Sequence, residues 1–487
     1  MKLLSGNSGN SFLLAAVKGF TTVSGILSTM IMSHALSLEL YGTYSQTALI
    51  VTTATNVTAL GLVDAVNFFY NRSTKEVEQK NYVNTIIGMQ TAIGILAGVL
   101  IVVSSGLLTD YFKNSSLLSF IPLIAFRPLF SNLNISLQYL QVSIGRAKSV
   151  AVRNAGFATL RLIVYAFAAL ILKDITVILI VFLLFEMFIT FYFSYTFATE
   201  RFRINFIQLD FRKIKEILIY SLPMGVYVMT NSLCRDIDKM LIGGWYSTDQ
   251  YAIYANCATL LPFDIVSSAF LVILSPILTR YFGKKDYEHG RLLFKNYLKI
   301  GYYTAFTFTI ACMILSKEMI LFLYGDKYLS GQTIFILYTI VDMIKFANLS
   351  IVLSACGKTP TLMICSLASL CANTVLNVIF NKFFGIAGSA IATVVVTVIL
   401  SGVMAHLSAA SLQTTVLKLI DMKEFVAFIL ELSVAGIICY TLKATLELIG
   451  LNAFVILILV GGIFICGILL INRKKILSAV SEINELR

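Results

Sequence analysis

Stretches of about 20 apolar residues recur from one end of this 487-residue chain to the other, and each is long enough to cross the roughly 30 Å hydrocarbon core of a bilayer. Hydrophobic residues make up 58% of the chain and charged residues only 13%, against about 25% charged in an ordinary soluble domain. These stretches exclude a water-soluble globule and predict an all-α integral membrane protein.

We predict about fourteen membrane-spanning helices, with ends uncertain by several residues. The first six are 12–32, 44–69, 83–108, 117–142, 155–173 and 175–197. The next six are 217–242, 251–279, 298–315, 331–353, 361–381 and 386–406, and two more follow at 425–442 and 448–471. The first span is too long for a signal-peptide core and lacks a small-residue cleavage site, so we keep it as a helix.

The basic residues predict the orientation of these spans. With a cytoplasmic N-terminus, the inner segments carry about three times as many Lys and Arg as the outer ones, which is a strong positive-inside signal. Both termini are then cytoplasmic. The net charge of +12 is therefore explained by topology, and we expect no nucleic-acid partner.

Two pairs of short motifs indicate an internal repeat. Tyr41-Gly42-Thr43-Tyr44 matches Tyr251-Ala252-Ile253-Tyr254, and Gly145-Arg146-Ala147-Lys148 matches Gly357-Lys358-Thr359-Pro360. Both pairs are offset by about 210 residues, as expected for two copies of six helices. The copies predict two lobes related by a pseudo-two-fold axis along the membrane normal, with a cavity between them.

The predicted domain organisation follows from the repeat. An N-terminal six-helix lobe covers 1–198, and a charged segment interleaved with apolar residues covers 199–216. That segment suits an amphipathic helix on the cytoplasmic face, with a solvated loop as the alternative. The second six-helix lobe covers 217–407, a cytoplasmic linker 408–424, helices thirteen and fourteen 425–472, and a cytoplasmic tail 473–487.

Four basic side chains lie inside apolar spans, namely Lys18, Arg127, Arg161 and Lys345. An Arg or Lys at the bilayer centre costs roughly 2.5–3.5 kcal/mol even on a forgiving insertion scale, so such residues are paired or face a wet cavity. Lys18 lies at a depth similar to that of Asp64, which leaves an ion pair and a substrate contact as equal alternatives. Arg161 could instead extend to the interface.

Arg127 and Lys345 lie near mid-depth in helices four and ten, which are equivalent under the repeat. A guanidinium matches a pyrophosphate in fork geometry, which favours Arg127 as an anion ligand. Three acids at comparable depth, Glu186, Asp264 and Asp342, serve as counter-charges or as sites for a coupling proton or sodium ion. Asp342 precedes Lys345 by three residues, a spacing that also permits an intrahelical pair.

A charged cluster, Arg235-Asp236-Ile237-Asp238-Lys239, lies near the outer end of helix seven. Its two acids and two bases either satisfy each other, in a structural or gating role, or contact the substrate through Arg235 and Lys239. All six prolines fall in or at the start of predicted spans, where each is expected to bend its helix.

No cofactor or metal site is expected. The eight cysteines lie in or at the edges of apolar spans without a CxxC or Cys/His spacing. The three histidines form no site by spacing, and no glycine-rich phosphate-binding motif is present. The predicted outer loops are also too short to carry catalytic groups, so we predict that the chain is not an enzyme.

Several more short motifs follow the Tyr-Gly-x-Tyr turn at 41–44 along the chain. They are Ser221-Leu222-Pro223, the charged cluster running to Gly243, Pro262 and Pro276 around helix eight, Gly357-Lys358 followed by Asn377, and the run Gly385-Ile386-Ala387-Gly388-Ser389-Ala390-Ile391-Ala392-Thr393. In this order the chain resembles, over essentially its whole length, the polysaccharide flippases of the multidrug/oligosaccharidyl-lipid/polysaccharide export superfamily.

The resemblance implies a transporter that moves an undecaprenyl-pyrophosphate-linked oligosaccharide across the bacterial inner membrane by alternating access. The lipid tail would stay in the bilayer, and the unit would be polymerised outside into the O-antigen of lipopolysaccharide or into capsule. Association with a polysaccharide polymerase and a chain-length regulator is a family expectation, and a monomer suffices. A multidrug or cation extruder, and a flippase for a cell-wall precursor or a teichoic-type polymer, remain alternatives.

Overall fold

Every element in the computed structural model is a helix, and the described residues are 7–263 and 265–486. Side chains are not described for residues 7–16, 264–269, 272 and 273, so Asp264 lies outside the described residues. The helices, in chain order, are α1 (Asn7–Ala35), α2 (Leu38–Ala59), α3 (Leu62–Arg72), α4 (Glu76–Val103), α5 (Ser105–Tyr111), α6 (Leu117–Ile124), α7 (Arg127–Ser143), α8 (Ala147–Ala166, continued by a π-helix at Phe167–Leu172), α9 (Thr176–Ala198), α10 (Phe211–Trp245), α11 (Thr248–Cys257), α12 (Ile265–Gly283), α13 (Tyr287–Ile314), α14 (Ser316–Leu323, followed by a 3-10 helix at Asp326–Gly331), α15 (Gln332–Ile344), α16 (Ile351–Ala355), α17 (Thr359–Phe384), α18 (Ile386–Ser411), α19 (Val416–Leu419), α20 (Met422–Leu448), α21 (Ala453–Ile471) and α22 (Arg473–Glu485).

The helical membrane fold predicted from the sequence is confirmed, whereas the count of fourteen spans is not. Among the described residues, nine helices are long and apolar enough to cross a membrane, and two bent pairs raise this number to eleven. The three other predicted spans fall on α1, on the interrupted pair α11 and α12, and on the short helices α15 and α16.

The chain divides into two compact units, Met1–Ala252 and Ile253–Arg487. The first unit therefore includes α10, the helix that opens the second lobe in the predicted organisation. Its apolar core is built by α3, α4, α7 and α9, with buried residues such as Leu62, Ile86, Leu137 and Phe193. The predicted lobe boundaries stay a prediction.

Each predicted six-helix copy has a broken second helix and a broken fourth helix. In the first copy, helix two is interrupted between α2 and α3, and helix four between α6 and α7. In the second copy, residues 258–263 interrupt helix eight, which contains Pro262, and residues 345–350 interrupt helix ten. The interruptions follow the same pattern as the motif pairs and give the repeat a structural counterpart.

The break between α2 and α3 depends on a close approach of two backbones. Leu60 and Gly61 both have positive φ, 45° and 69°, and the two helices meet at about 40°. A Cβ at Gly61 would lie 2.1 Å from the Ser221 carbonyl oxygen, and a Cβ at Gly225 would lie 2.3 Å from the carbonyl carbon of Leu60. Only glycines at both positions allow α10 to pack at this distance.

The predicted amphipathic helix at 199–216 is wrong for residues 201–210, which are not helical. Polar groups of α4 bind this segment instead, because the Asn84 side chain donates to Gln208 Oε1 at 2.8 Å and accepts from the Asn205 backbone N–H at 3.0 Å. Gly88 leaves room for the Gln208 carbonyl, which would lie 2.4 Å from an added Cβ. The segment is therefore irregular chain that packs on α4.

The last helices of the second unit pack on α13. Tyr303 and Phe428 contribute to a shared apolar core with buried residues of α21. The predicted cytoplasmic tail is mostly the helix α22, where Glu482 accepts a hydrogen bond from Asn296 at 2.8 Å. Tyr281 also donates to the Leu486 carbonyl at 2.7 Å.

We predict that Gly61→Ala destabilises the protein much more than Gly450→Ala. Both glycines have positive φ, 69° and 80°, so both substitutions carry a similar left-handed cost of roughly 1–2 kcal/mol. Only the Gly61 Cβ meets backbone atoms, whereas nothing lies within 4 Å of a Cβ at Gly450. Thermal unfolding of the purified variants in detergent measures the difference, and equal losses would contradict the close approach.

Candidate functional site

The interruption of helix four positions Arg127. Residues 125–126 form a turn between α6 and α7, with φ −96° and ψ 0° at Phe126, and α7 begins at Arg127 with Pro128 in its first turn. Proline is favoured there because the first N–H groups of a helix have no intrahelical acceptor. The break thus places a cation ten residues into the 27-residue span Leu117–Ser143, where the surroundings are apolar.

Arg127 forms an ion pair with Glu186 of α9. Nη2 of Arg127 lies 2.9 Å from Glu186 Oε1, and its Nε lies 3.4 Å from Oε2. The two side chains are 14% and 12% exposed, and the guanidinium carbon lies 5.8 Å from the centroid of the Phe182 ring. A lone charge at this position would be costly. The two-point contact between the guanidinium and the carboxylate offsets that cost.

Side-chain hydrogen bonds hold Glu186 and α9 against α7. Asn134 donates to the Glu186 backbone carbonyl at 3.1 Å, and Thr190 donates to the same carbonyl at 2.8 Å. Two turns further, Gln141 donates to the Phe193 carbonyl at 2.9 Å. This polar ladder fixes the position of Glu186 relative to the helix-four break.

A cavity of about 150 Å³ lies beside the pair. Its polar lining comes from Ser131, Asn134, Gln138, Arg153 and Glu186, and its apolar lining from neighbouring Phe and Ile side chains. The sequence predicted Arg127 and Glu186 separately, and the structure brings them together next to a space that admits polar atoms. This is the strongest candidate site within the described residues.

The other predicted cations of the first unit lie elsewhere. Lys18 is exposed and forms no ion pair with Asp64 in the described part of the chain, so that alternative is wrong. The reason is that α1 packs on α8, where Ser24 donates to the Ala158 carbonyl at 2.7 Å. Arg161 strengthens the same contact because its Nη2 donates to the Thr21 carbonyl at 3.0 Å.

The charged cluster of α10 is largely self-contained. Lys239 lies 3.8 Å from Asp236, and Asp238 is buried and accepts a hydrogen bond from the Lys239 backbone N–H at 2.8 Å. Arg235 is exposed. These contacts fit the structural alternative for three of the four charged residues.

In the second unit, Asp342 and Lys345 lie at the end of α15. The Asp342 carboxylate accepts a hydrogen bond from the Leu261 backbone N–H at 2.9 Å, which satisfies a donor freed by the break in helix eight. Lys345 is the first residue after the helix and its side chain is exposed. Asp342 thus accepts a structural hydrogen bond from the backbone, whereas the sequence suggested a counter-charge or a site for a coupling ion.

Sequence reasoning missed three other charges in or beside the spans. Arg153 was assigned to a loop, but α8 begins at Ala147 and contains it. Lys443 and Glu318 were assigned to outer loops, but their side chains are 10% and 1% exposed and their charged atoms lie 2.8 Å apart. The Gly145-Arg146 turn could have shown that the helix begins there and therefore includes Arg153. No local pattern indicated the Lys443–Glu318 pair.

Solved structures of membrane transporters share this fold. The lipid II flippase MurJ, in an inward closed conformation, matches with a TM-score of 0.72 at 16% identity, covering 96% of this chain and 100% of that one. An inward-facing multidrug resistance MATE family transporter of the MOP superfamily matches with a TM-score of 0.64 at 13% identity, covering 81% and 96%. A MOP superfamily transporter from Pyrococcus furiosus, described as having a binding pocket of reverse polarity, matches at 0.52 and 12% identity, covering 85% and 98%.

The chain therefore has the fold of these transporters, and its apolar helices make it a multi-pass membrane protein. The chain belongs to the polysaccharide biosynthesis protein family, which matches residues 31–332. No curated protein matches it in sequence. The solved structures of similar fold are flippases and transporters, in line with the transporter fold expected from the sequence.

We predict that Glu186→Gln and Arg127→Met each lower the thermal stability of the purified protein, because each leaves one charge without its partner. Removing one member of a buried pair costs about 3–5 kcal/mol, with less expected here because both side chains retain some exposure. The double variant Arg127→Met with Glu186→Leu removes both charges and should recover most of the loss. Additive losses in the double variant would contradict a direct pair.

Proposed function

We propose that this protein flips an undecaprenyl-pyrophosphate-linked oligosaccharide, the repeat unit of an O-antigen or a capsule, from the cytoplasmic to the outer leaflet of the bacterial inner membrane. The observation that carries the proposal is the Arg127–Glu186 pair at mid-span, whose Glu186 lines a cavity with polar and apolar walls. The family match to polysaccharide biosynthesis proteins supports the same substrate class.

The geometry of the pair suggests how an anion would be recognised. The Arg127 guanidinium presents Nη2 and Nε to two oxygens of one carboxylate, and a pyrophosphate offers oxygens in the same arrangement. In the absence of substrate, Glu186 occupies the place of the anion and removes the cost of a lone cation. The pyrophosphate would displace Glu186, so binding would exchange one ion pair for another.

The exchange leaves Glu186 without its cation when the substrate is bound. A bare carboxylate in apolar surroundings is costly, so the displaced Glu186 takes up a proton or another cation. This links substrate binding to a coupling ion at a residue already named as a candidate for that role. The chain is expected to work as a monomer by alternating access, with polymerase and chain-length regulator as partners in the pathway.

The alternatives differ in substrate. A flippase for a cell-wall precursor or a teichoic-type polymer would use the same anion recognition, and the lipid II flippase of similar fold illustrates this class. A multidrug extruder would favour acidic and aromatic groups for cationic drugs, and the cavity does contain Glu186, Phe157 and Phe185. Arg153 in the same lining, and Arg127 paired with Glu186, count against this alternative.

Deletion of the gene separates these functions. We expect a complete lipid-linked oligosaccharide to accumulate on the cytoplasmic leaflet while surface polymer disappears, and mass spectrometry of the labelled lipid to identify the sugars. Accumulation of a cell-wall precursor would select the alternative flippase. Unchanged lipid-linked glycans, together with altered resistance to cationic compounds, would contradict flipping.

Variants of the pair test the anion site itself. Arg127→Met with Glu186→Leu should be present at normal abundance in the membrane, because no unpaired charge remains, yet it should export no surface polymer. Lys345→Ala, at the equivalent helix, should also reduce export. Arg212→Gln, an exposed arginine at the start of α10, is the matched control and should export normally. Normal export by the double variant would overturn the role of Arg127.

A further inference from the structure

A second cavity of the first unit lies between α8 and α9, outside the Arg127–Glu186 pair. Its volume is about 770 Å³. Its lining combines three basic residues, Arg146, Lys148 and Arg153, with four aromatic residues, Phe157, Phe185, Phe188 and Tyr192. It adjoins the smaller cavity beside Glu186 and shares Arg153, Phe157, Phe185 and Ile189 with it, but the exchange proposed at Arg127 does not involve its basic residues.

Arg153 provides the main evidence that this cavity binds an anion. Its Nε and Nη2 are shielded from solvent and donate to no group among the described residues, and its guanidinium carbon lies 5.3 Å from the centroid of the Phe193 ring. Its nearest acid in the adjoining cavity is Glu186, whose carboxylate is held by Arg127 at 2.9 Å. A guanidinium placed this way has donor capacity that an anion can satisfy.

The other two cations extend the site to the end of α8. Lys148 is exposed and forms no ion pair in the described part of the chain, whereas Arg146 is paired with Glu200. Lys148 lies five residues before Arg153 and therefore about 7.5 Å nearer the start of the helix. No side chain caps the first turn of α8, so its N-terminal dipole adds to the attraction for an anion.

The aromatic residues form an apolar wall next to these charges. Phe157 and Phe185 stack with ring centroids 4.9 Å apart, and Phe188 and Tyr192 stack at 6.1 Å. Phe188 is 62% exposed on α9, which is a membrane-spanning helix, so this wall faces lipid. Gly156, also in the lining, has nothing within 4 Å of an added Cβ and leaves the cavity open.

We propose that this cavity binds an anionic phospholipid of the cytoplasmic leaflet, with its phosphodiester between Lys148 and Arg153 and its acyl chains along the aromatic wall. With Glu200 neutralising Arg146, two positive charges remain, which favours a headgroup without a compensating amine. The predicted topology places this end of α8 at the cytoplasmic surface, where such lipids are enriched. The proposal goes beyond the proposed transport function and does not depend on it.

The test uses the full-length protein, purified in detergent and titrated with phosphatidylglycerol or phosphatidylcholine, with native mass spectrometry as the readout. We expect phosphatidylglycerol to bind and phosphatidylcholine to bind more weakly. Arg153→Gln should weaken phosphatidylglycerol binding about tenfold, because it removes a charge-assisted hydrogen-bond donor. Lys148→Gln, on an exposed residue that is not needed for folding, should weaken it about fivefold. Arg212→Gln is the control of equal charge and should leave binding unchanged.

Two competitors distinguish the sources of the phosphate. Inorganic phosphate in excess should fail to displace the phospholipid, since it cannot contact the aromatic wall. Undecaprenyl pyrophosphate should likewise leave Arg153-dependent binding of phosphatidylglycerol in place. Displacement by either, undiminished binding to Arg153→Gln and Lys148→Gln, or an equal loss in Arg212→Gln, would overturn the proposal.

Discussion

In hydrocarbon there is no water to satisfy a charge or a free backbone group, so each must find its partner within the protein. The structure follows this constraint wherever a helix breaks or a charge enters a span. Arg127 meets Glu186 at the break in helix four, and Asp342 accepts from the backbone N–H of Leu261 at the break in helix eight. Arg161 donates to a backbone carbonyl of α1. The positions of the helices relative to one another within each unit depend on these contacts as much as on apolar packing.

The helical membrane fold could be predicted from the sequence because apolar stretches of membrane length are a strong, local signal. The break at Leu60-Gly61 could not, since the sequence there is as apolar as elsewhere and the bend depends on distant partners such as Ser221 and Gly225. The break at residues 125–126 lies between Pro122 and Pro128, two of the prolines that were expected to bend their helices. The irregular segment 201–210 agrees with the loop alternative in having no helix, but its packing on α4 could not be predicted. Its interleaved apolar residues suit an amphipathic helix, whereas hydrogen bonds with Asn84 of α4 hold it as irregular chain.

The candidate site was predictable only in part. Charged residues inside apolar spans are easy to recognise in a sequence because they are rare and costly in lipid. Arg127 and Glu186 were found in this way. Their pairing could not be deduced, because 59 residues separate them and several acids lie at comparable depth. Lys18 and Asp64 are the opposite case. They lie at similar depth in neighbouring predicted helices, which suggested an ion pair, but the packing of α1 on α8 keeps them apart. Two charges in different spans must therefore lie at similar depth to pair, and they do so only if their helices are also in contact.

The buried pair of Lys443 and Glu318 has a consequence for shortening the chain. Glu318 is 1% exposed and its cation belongs to α20, the helix of the predicted thirteenth span. A chain shortened before α20 would leave Glu318 as a lone carboxylate in a dry contact, which is costly. The terminal helices are thus coupled to the rest of the unit through an acidic side chain, and replacing Glu318 with an uncharged residue would remove that cost.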